Sequence, residues 1–331
     1  MNRNTRYLAA IAFGILALLA ACKKKNANRE TTCMSTLHAY NTAVNSADTA
    51  TFEASKHGMI DLATGTITTT SSIFRCSPVF TNQGAFNTAD NCYYVFKANG
   101  LYPSSVTSLY KIGASGTVTL LSATDTVTYT SLVYNDVTHN LYCIRNGVLV
   151  EISIAGTTFT TTSVATLLHP LAGQLYTPAH IAVDLTSGDM YFTTGDTTTY
   201  YIEKYHAGYT TSAVVATGTN GRILEMRFNF NDHMLYAMKA HGQTSYDFIK
   251  INPAGSSITT IAVLGFQLNP DFYSATLDQC NNRYIIFCET HAPFSSMQGI
   301  LRQINMSGAV VQSDSTTTYY QGLTAIYWPA I

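Results

Sequence analysis

From Met59 onward, short apolar runs alternate with polar turns, and the same order returns along the chain. One recurring unit is an apolar strand, a glycine turn and a Thr-rich strand. It reads Met59-Ile-Asp-Leu-Ala-Thr-Gly65 then Thr-Ile-Thr-Thr-Thr, and again Leu109-Tyr-Lys-Ile-Gly-Ala-Ser-Gly116 then Thr-Val-Thr-Leu-Leu. Further copies end at Gly156, Gly208, Gly255 and Gly308, giving a mean step of about 49 residues. A tight hairpin favours a residue that tolerates positive φ, which predicts glycine at these turns. The second unit is an apolar strand, an Asn or Asp turn and a strand with a central tyrosine. Its copies are Ala85-Phe-Asn87 to Tyr94, Leu132-Val-Tyr-Asn-Asp136 to Tyr142, Ile181-Ala-Val-Asp184 to Tyr191, Met226-Arg-Phe-Asn229 to Tyr236, and Ala275-Thr-Leu-Asp278 to Tyr284. Successive tyrosines stand 48, 49, 45 and 48 residues apart. The Asn or Asp side chain caps its own turn, so these residues read as turn chemistry rather than catalysis.

Two hairpins per repeat make a four-stranded antiparallel blade, and radial repetition of blades makes a propeller. First strands are predicted near Ala85, Leu132, Ile181, Ile223 and Tyr273. A sixth, Gly322-Leu-Thr-Ala-Ile-Tyr-Trp328, ends the chain without partners. Met59 to Asp61 and Thr66 to Thr70 would supply its third and fourth strands, and Thr49 to Ser55 its second. The expectation is an all-β, six-bladed β-propeller whose last blade is closed by N-terminal strands plus the C-terminal strand. That closure hides two edges an open ring would expose. A seventh blade would require a hairpin at His38 to Ala43. The acidic turn followed by an apolar-Tyr strand resembles the six-bladed propellers of the TolB-like and YWTD or NHL kind, over roughly residues 52 to 331. The aromatic signatures of true YWTD repeats are not found, Met190-Tyr-Phe-Thr193 being nearest.

The N-terminus changes the picture by assigning a compartment. Arg3 and Arg6 precede an uncharged apolar run, Leu8 to Ala21, too short for a membrane span of ~20 residues and suited to a secretory signal. It ends Leu19-Ala20-Ala21-Cys22, which resembles the lipobox of bacterial lipoproteins, where cleavage precedes a cysteine that receives a diacylglycerol. The predicted organisation is therefore a signal peptide at 1–21, a flexible tether at 22–48 and the propeller at 49–331. Lys23 is not the aspartate that retains enteric-type lipoproteins at the inner membrane, so the resemblance implies the outer membrane. Lys23, Lys24 and Lys25 could also meet anionic headgroups, for ~1 kcal/mol each.

Composition supports an exported all-β protein: 46% hydrophobic and 11% charged residues, with a net charge of −1. Such a balance provides no basic footprint for nucleic acid. Setting Cys22 aside for lipid leaves six cysteines in an oxidising compartment, and their spacing selects neither a zinc signature nor one disulfide pairing. Cys143 lies within a predicted strand and reads as a small buried hydrophobe.

Candidate binding residues fall in or beside the loops that join fourth to first and second to third strands. These are Tyr176, His180, Glu225, His241, Tyr246, Asp271, His291 and Tyr320, with Tyr102 and Tyr319 as further loop aromatics that could stack on a sugar or grip a peptide. No cofactor is evident. A divalent cation could be held through Glu225, Asp271 and His241, but the oxygens calcium needs cannot be assembled from the sequence, and no HxH or HExxH spacing supports zinc. GxSxG, P-loop and GxGxxG motifs are missing. These features favour a non-catalytic binding or scaffold module, held in the envelope by its lipid and recognising a protein or glycan. The alternatives are a metal-dependent lactonase or hydrolase of the six-bladed type, and a structural subunit of an envelope complex.

Overall fold

β-Branched and aromatic residues between Asn, Asp and Gly turns favour pleated strands over helices. The computed structural model describes residues 36–41, 54–61, 67–75, 84–99, 106–123, 129–169, 181–241, 245–266, 273–289, 299–316 and 320–325, and among these there is no helix. The series opens with β1 (Thr36–Asn41), β2 (Ala54–Asp61) and β3 (Ile67–Arg75). It continues with β4 (Gly84–Asn87), β5 (Cys92–Asn99), β6 (Val106–Gly113) and β7 (Val118–Ala123), then β8 (Thr130–Asn135), β9 (Asn140–Arg145), β10 (Val148–Ala155) and β11 (Thr158–Thr166). The next four are β12 (Ile181–Val183), β13 (Met190–Gly195), β14 (Thr199–Tyr205) and β15 (Ala213–Thr219). After them come β16 (Arg222–Asn229), β17 (Met234–Ala240), β18 (Tyr246–Asn252) and β19 (Ser257–Leu264). The last are β20 (Tyr273–Asp278), β21 (Arg283–Glu289), β22 (Gly299–Asn305), β23 (Val310–Thr316) and β24 (Tyr320–Ala325).

β12 to β15, β16 to β19 and β20 to β23 each form a four-stranded sheet in chain order. β4 to β7 and β8 to β11 are two antiparallel quartets merged into an eight-stranded sheet, because β7 and β11 run parallel at Ser122–Thr158 and Ala123–Phe159. The remaining sheet has the order β24-β1-β2-β3. N-terminal strands and the C-terminal strand thus share a sheet, as the repeat requires, but the N-terminal boundary shifts. β1, predicted as tether, is the second strand of this sheet and pairs with both β2 and β24. Of the segment predicted for that place, Thr49 to Ser55, residues 49–53 lie outside the described residues and Ala54 and Ser55 open β2, the third strand. The described strands all belong to one compact unit, Ser35–Ile326. First strands pack side by side in the order β4, β8, β12, β16, β20, β24, and β24 returns to β4. The fold is all-β and propeller-like.

At one end of the sheets every first hairpin carries the cap expected from its sequence. Oδ1 of Asn87, Asn135, Asp184, Asn229 and Asp278 accepts the backbone N–H two residues on, at 2.8 to 3.1 Å. The fifth residue of each turn is left-handed: Asn91, His139, Gly188, His233 and Asn282 have φ between 52° and 78°. His139 and His233 are therefore turn residues. Neighbouring turns are also stapled together. Asn135 Nδ2 donates to Gly188 O at 2.9 Å, Asn229 Nδ2 to Asn282 Oδ1 at 2.7 Å, and Asn231 Nδ2 to Gln279 O at 2.6 Å.

Two repeat positions depart from expectation. Gly116, Gly156, Gly208 and Gly308 are left-handed as predicted, but in the Gly255 turn the left-handed residue is Ser256 (φ 51°). There Asn252 Oδ1 takes the N–H groups of Ala254 and Gly255, both at 3.0 Å, and caps the turn itself. The fifth tyrosine is out of register. Tyr94, Tyr142 and Tyr191 lie opposite the residue two before the cap, as does Tyr236, whereas Tyr284 lies opposite Leu277, one before the cap. A one-residue offset turns a side chain to the other face of its strand. Tyr236 and Tyr284 consequently meet in the same cluster between adjacent sheets, with Met238, Phe248 and Ile286. Such clusters lie between successive quartets, and burying each large apolar side chain contributes roughly 1.5–3 kcal/mol.

Candidate functional site

In sequence, each first hairpin is apolar next to its cap and polar four residues before it, at Gln83, Ser131, His180, Glu225 and Ser274, of which Gln83 and His180 lie outside the described residues. Ser131 (φ 59°) and Glu225 (φ 54°) both adopt the left-handed conformation, which costs a residue with a Cβ about 1–2 kcal/mol. Both also stand in bulges at the same repeat position. Ser131 and Leu132 fall between the pairs Thr130–Ile144 and Val133–Tyr142, and Glu225 and Met226 between Leu224–Met238 and Arg227–Tyr236. Such a bulge re-aims the side chain it inserts and usually places glycine at the left-handed residue. Here serine and glutamate occupy it. Ser274, by contrast, pairs regularly with Phe287.

Glu225 is fully buried. Arg227 Nη2 donates to its Oε2 at 2.8 Å and to Ala275 O of the adjacent first strand at 2.5 Å. The Tyr284 hydroxyl donates to the Glu225 carbonyl at 2.7 Å. Desolvation dominates and pushes the carboxyl up to about 7, against the attraction of Arg227 and the N–H of Ala275. Glu225 can therefore give or take a proton near neutrality. Arg222, three residues upstream on β16, has a buried Nε without a hydrogen-bond partner, and so has the Ser131 Oγ. Buried polar atoms of this kind call for a partner.

A second buried carboxylate went unnoticed in the sequence. Glu203 on β14 is fully buried and accepts from Leu168 N (2.8 Å), His169 N (2.9 Å), Thr194 Oγ1 (2.5 Å) and Ser212 Oγ. His169 Nδ1 lies 3.0 Å from Oε1, and its ring stacks on Tyr201 at 3.7 Å. Burial alone would raise its pKa, but these donors, Ser212 first, hold the carboxyl below the usual range. The knot fixes the chain leaving β11 against β14. On the same sheet Asp189 lies 2.5 Å from both Lys204 Nζ and His206 Nδ1. Desolvation acts upward on Asp189, yet these two partners bring it below its ordinary value. A repeat alignment could have flagged Glu203, since the corresponding residues of the neighbouring quartets are Val150 and Ile249.

The other predicted residues divide. Tyr246 is a correction: it opens β18 but is only 1% exposed and packs in the core, because its strand begins earlier than the loop reading allowed. His241 is exposed, with Nε2 2.8 Å from Asp247 Oδ2. Tyr320 opens β24 opposite Asn41. Cys22, Tyr176, His180, Asp271 and His291 lie outside the described residues. Asp271 lies outside the described residues, so the structure does not test a cation site through Glu225, His241 and Asp271; among the described residues no three His, Cys, Asp or Glu side chains gather as metal ligands. Cys92 and Cys143 are buried and form no disulfide, while Cys280 is disulfide-bonded.

No family model matches the chain, and neither does any curated protein. Solved structures do resemble it. A chain of the nidogen/laminin complex is 15% identical with a TM-score of 0.61, covering 88% of this chain and 98% of that one. TolB from Acinetobacter baumannii is 11% identical with a TM-score of 0.61, covering 88% of this chain and 66% of that one. The periplasmic gluconolactonase of Pseudomonas aeruginosa is 10% identical with a TM-score of 0.57, covering 87% and 98%. At these identities the likeness establishes the propeller fold and carries no activity across.

Proposed function

We propose that the chain is a six-bladed β-propeller lipoprotein of the cell envelope, acting as a binding or scaffold module for a protein or glycan. The cyclic packing of β4, β8, β12, β16, β20 and β24 supports six blades. The lipobox ending in Cys22 supports lipid anchoring, and Lys23 after it supports the outer membrane. The observation carrying the binding reading is the pair of left-handed polar residues, Ser131 and Glu225, at equivalent bulges of first strands. Strain concentrated at one repeat position marks a functional site. Tyr320 at the start of β24, with the predicted loop residues Tyr176, His180, Asp271 and His291, would extend that site toward a large partner. The test is in-cell crosslinking of full-length wild-type protein and a Tyr176→Ala/Tyr320→Ala double variant, followed by mass spectrometry. A discrete envelope partner or glycan lost in the variant, at unchanged melting temperature, supports the reading. Equal capture by both rejects that loop surface.

A second reading, an enzyme of the lactonase or hydrolase type, is favoured by the complete burial of Glu225 on a first strand, which pushes its carboxyl up to about 7. A general acid or base works best near ambient pH. Loss of turnover of a lactone or ester in Glu225→Gln would favour it. Turnover retained in that variant would reject Glu225 as the catalytic group.

A further inference from the structure

The turn between β20 and β21 is fastened in two ways. Gln279 ties it to the preceding first-hairpin turn: its Nε2 donates to Phe228 O at 2.5 Å, its Oε1 accepts from Phe230 N at 3.1 Å, and its carbonyl accepts from Asn231 Nδ2 at 2.6 Å. The next residue, Cys280, is half-buried and disulfide-bonded.

The position of Cys280 narrows the choice of partner. Cys92 and Cys143 form no disulfide. Cys288 stands on β21, well beyond Arg283, where that strand leaves the turn. The run from Arg283 to Cys288 alone is roughly 16 Å of extended chain, whereas bridged Cα atoms lie within about 7 Å. The other cysteines, Cys22, Cys33 and Cys76, lie outside the described residues, all in the N-terminal quarter of the chain. A bridge from Cys280 to any of them encloses more than 200 residues.

The last junction of the ring is where such a bridge matters most. The other first strands are joined to their second strands by capped turns. β24 and β1 come from opposite ends of the chain and are held by strand pairing, with no turn to connect them. β20, which leads into the turn carrying Cys280, packs beside β24.

We infer that the Cys280 disulfide is a redox-dependent clasp, closing the ring covalently by joining the last complete quartet to the N-terminal part of the chain. Its formation removes two electrons and two protons from two thiols. A disulfide oxidant accepts them, its own S–S bond becoming two thiols. A crosslink over so long a segment acts chiefly by restricting the unfolded chain. In a reducing compartment the same chain lacks the clasp and is less stable.

The test combines peptide mapping of full-length protein, alkylated and digested without reduction, with thermal unfolding in the presence and absence of a phosphine reductant. Mapping should join the Cys280 peptide to one carrying Cys33 or Cys76, since the proposed lipid occupies the Cys22 thiol. Reductant should lower the wild-type melting temperature by about 5–10 °C. Cys280→Ser should melt at the reduced wild-type value and ignore the reductant. Should that variant fail to fold, wild type reduced after folding supplies the same comparison. A free Cys280 thiol in the unreduced protein, a bridge to Cys288, or a wild-type melting temperature indifferent to reductant overturns the inference. So does a reductant effect that persists undiminished in Cys280→Ser. A bridge to Cys22 would uphold the clasp and overturn the lipid anchor, so the two readings fail separately.

Discussion

Glu203 and Glu225 are both fully buried, on neighbouring sheets, yet their carboxyl groups are driven in opposite directions. Burial penalises the charged form of each. Glu203 overcomes that penalty through hydrogen-bond donors from Leu168, His169, Thr194 and Ser212. Glu225 has Arg227 as its main compensation, and desolvation prevails. The hydrogen-bond supply around a buried acid therefore decides its role. Glu203 is a charged staple between β11 and β14, whereas Glu225 is held near its protonation midpoint on a strand lining the ring.

The largest effect should follow from emptying the Glu203 knot. Glu203→Ala orphans several donors at once, and the expected loss is about 4 kcal/mol of unfolding free energy, by analogy with breaking a buried charged network. Chemical denaturation at neutral pH measures it, and a loss below about 1 kcal/mol would reduce the knot to a peripheral contact.

Glu225 should show the opposite pH behaviour. Its folded pKa is raised from 4.5 to about 7, so its stabilising contribution is fully present below the lower value. That contribution is lost as pH rises through the upper one. For a shift of this size the loss is about 3 kcal/mol. Glu225→Gln should remove this slope and equal or exceed wild-type stability above neutrality. Stability curves of the two proteins that remain parallel across the window would contradict the assignment.

The smallest change tests why the two acids differ. Ser212→Ala removes one donor to Glu203 and should cost about 1–2 kcal/mol, with the Glu203 carboxyl shifting toward higher pKa. An unaltered carboxyl titration would show that the remaining donors suffice.

The sequence revealed the parts of the molecule governed by short-range rules. The Asn87, Asn135, Asp184, Asn229 and Asp278 caps each act within a few residues, so spacing alone exposes them and the hairpins they close. β1 was hidden because its partners, β2 and β24, are fixed by ring closure rather than by local turn chemistry. Tyr246 was misread since an aromatic beside a loop looks the same in sequence whether it faces solvent or the next sheet. Glu225 stood out as an acid in an apolar strand, but its bulge and left-handed backbone did not. Ser131 was missed entirely, because a serine beside a turn carries no signal until the repeats are laid in register. Glu203 was concealed differently: its donors come from Leu168, His169 and Ser212, which lie distant in sequence or across a loop.

The central claim, that the surroundings of the two buried acids shift their carboxyl groups in opposite directions, is tested most directly by carboxyl carbon-13 NMR. Full-length protein labelled at glutamate would be titrated and assigned with Glu225→Gln and Glu203→Gln. The account predicts one resonance titrating near pH 7 that vanishes in Glu225→Gln, and a Glu203 carboxyl still ionised below the ordinary glutamate range. A Glu225 resonance already ionised at pH 5, or a Glu203 resonance titrating above it, would contradict the account.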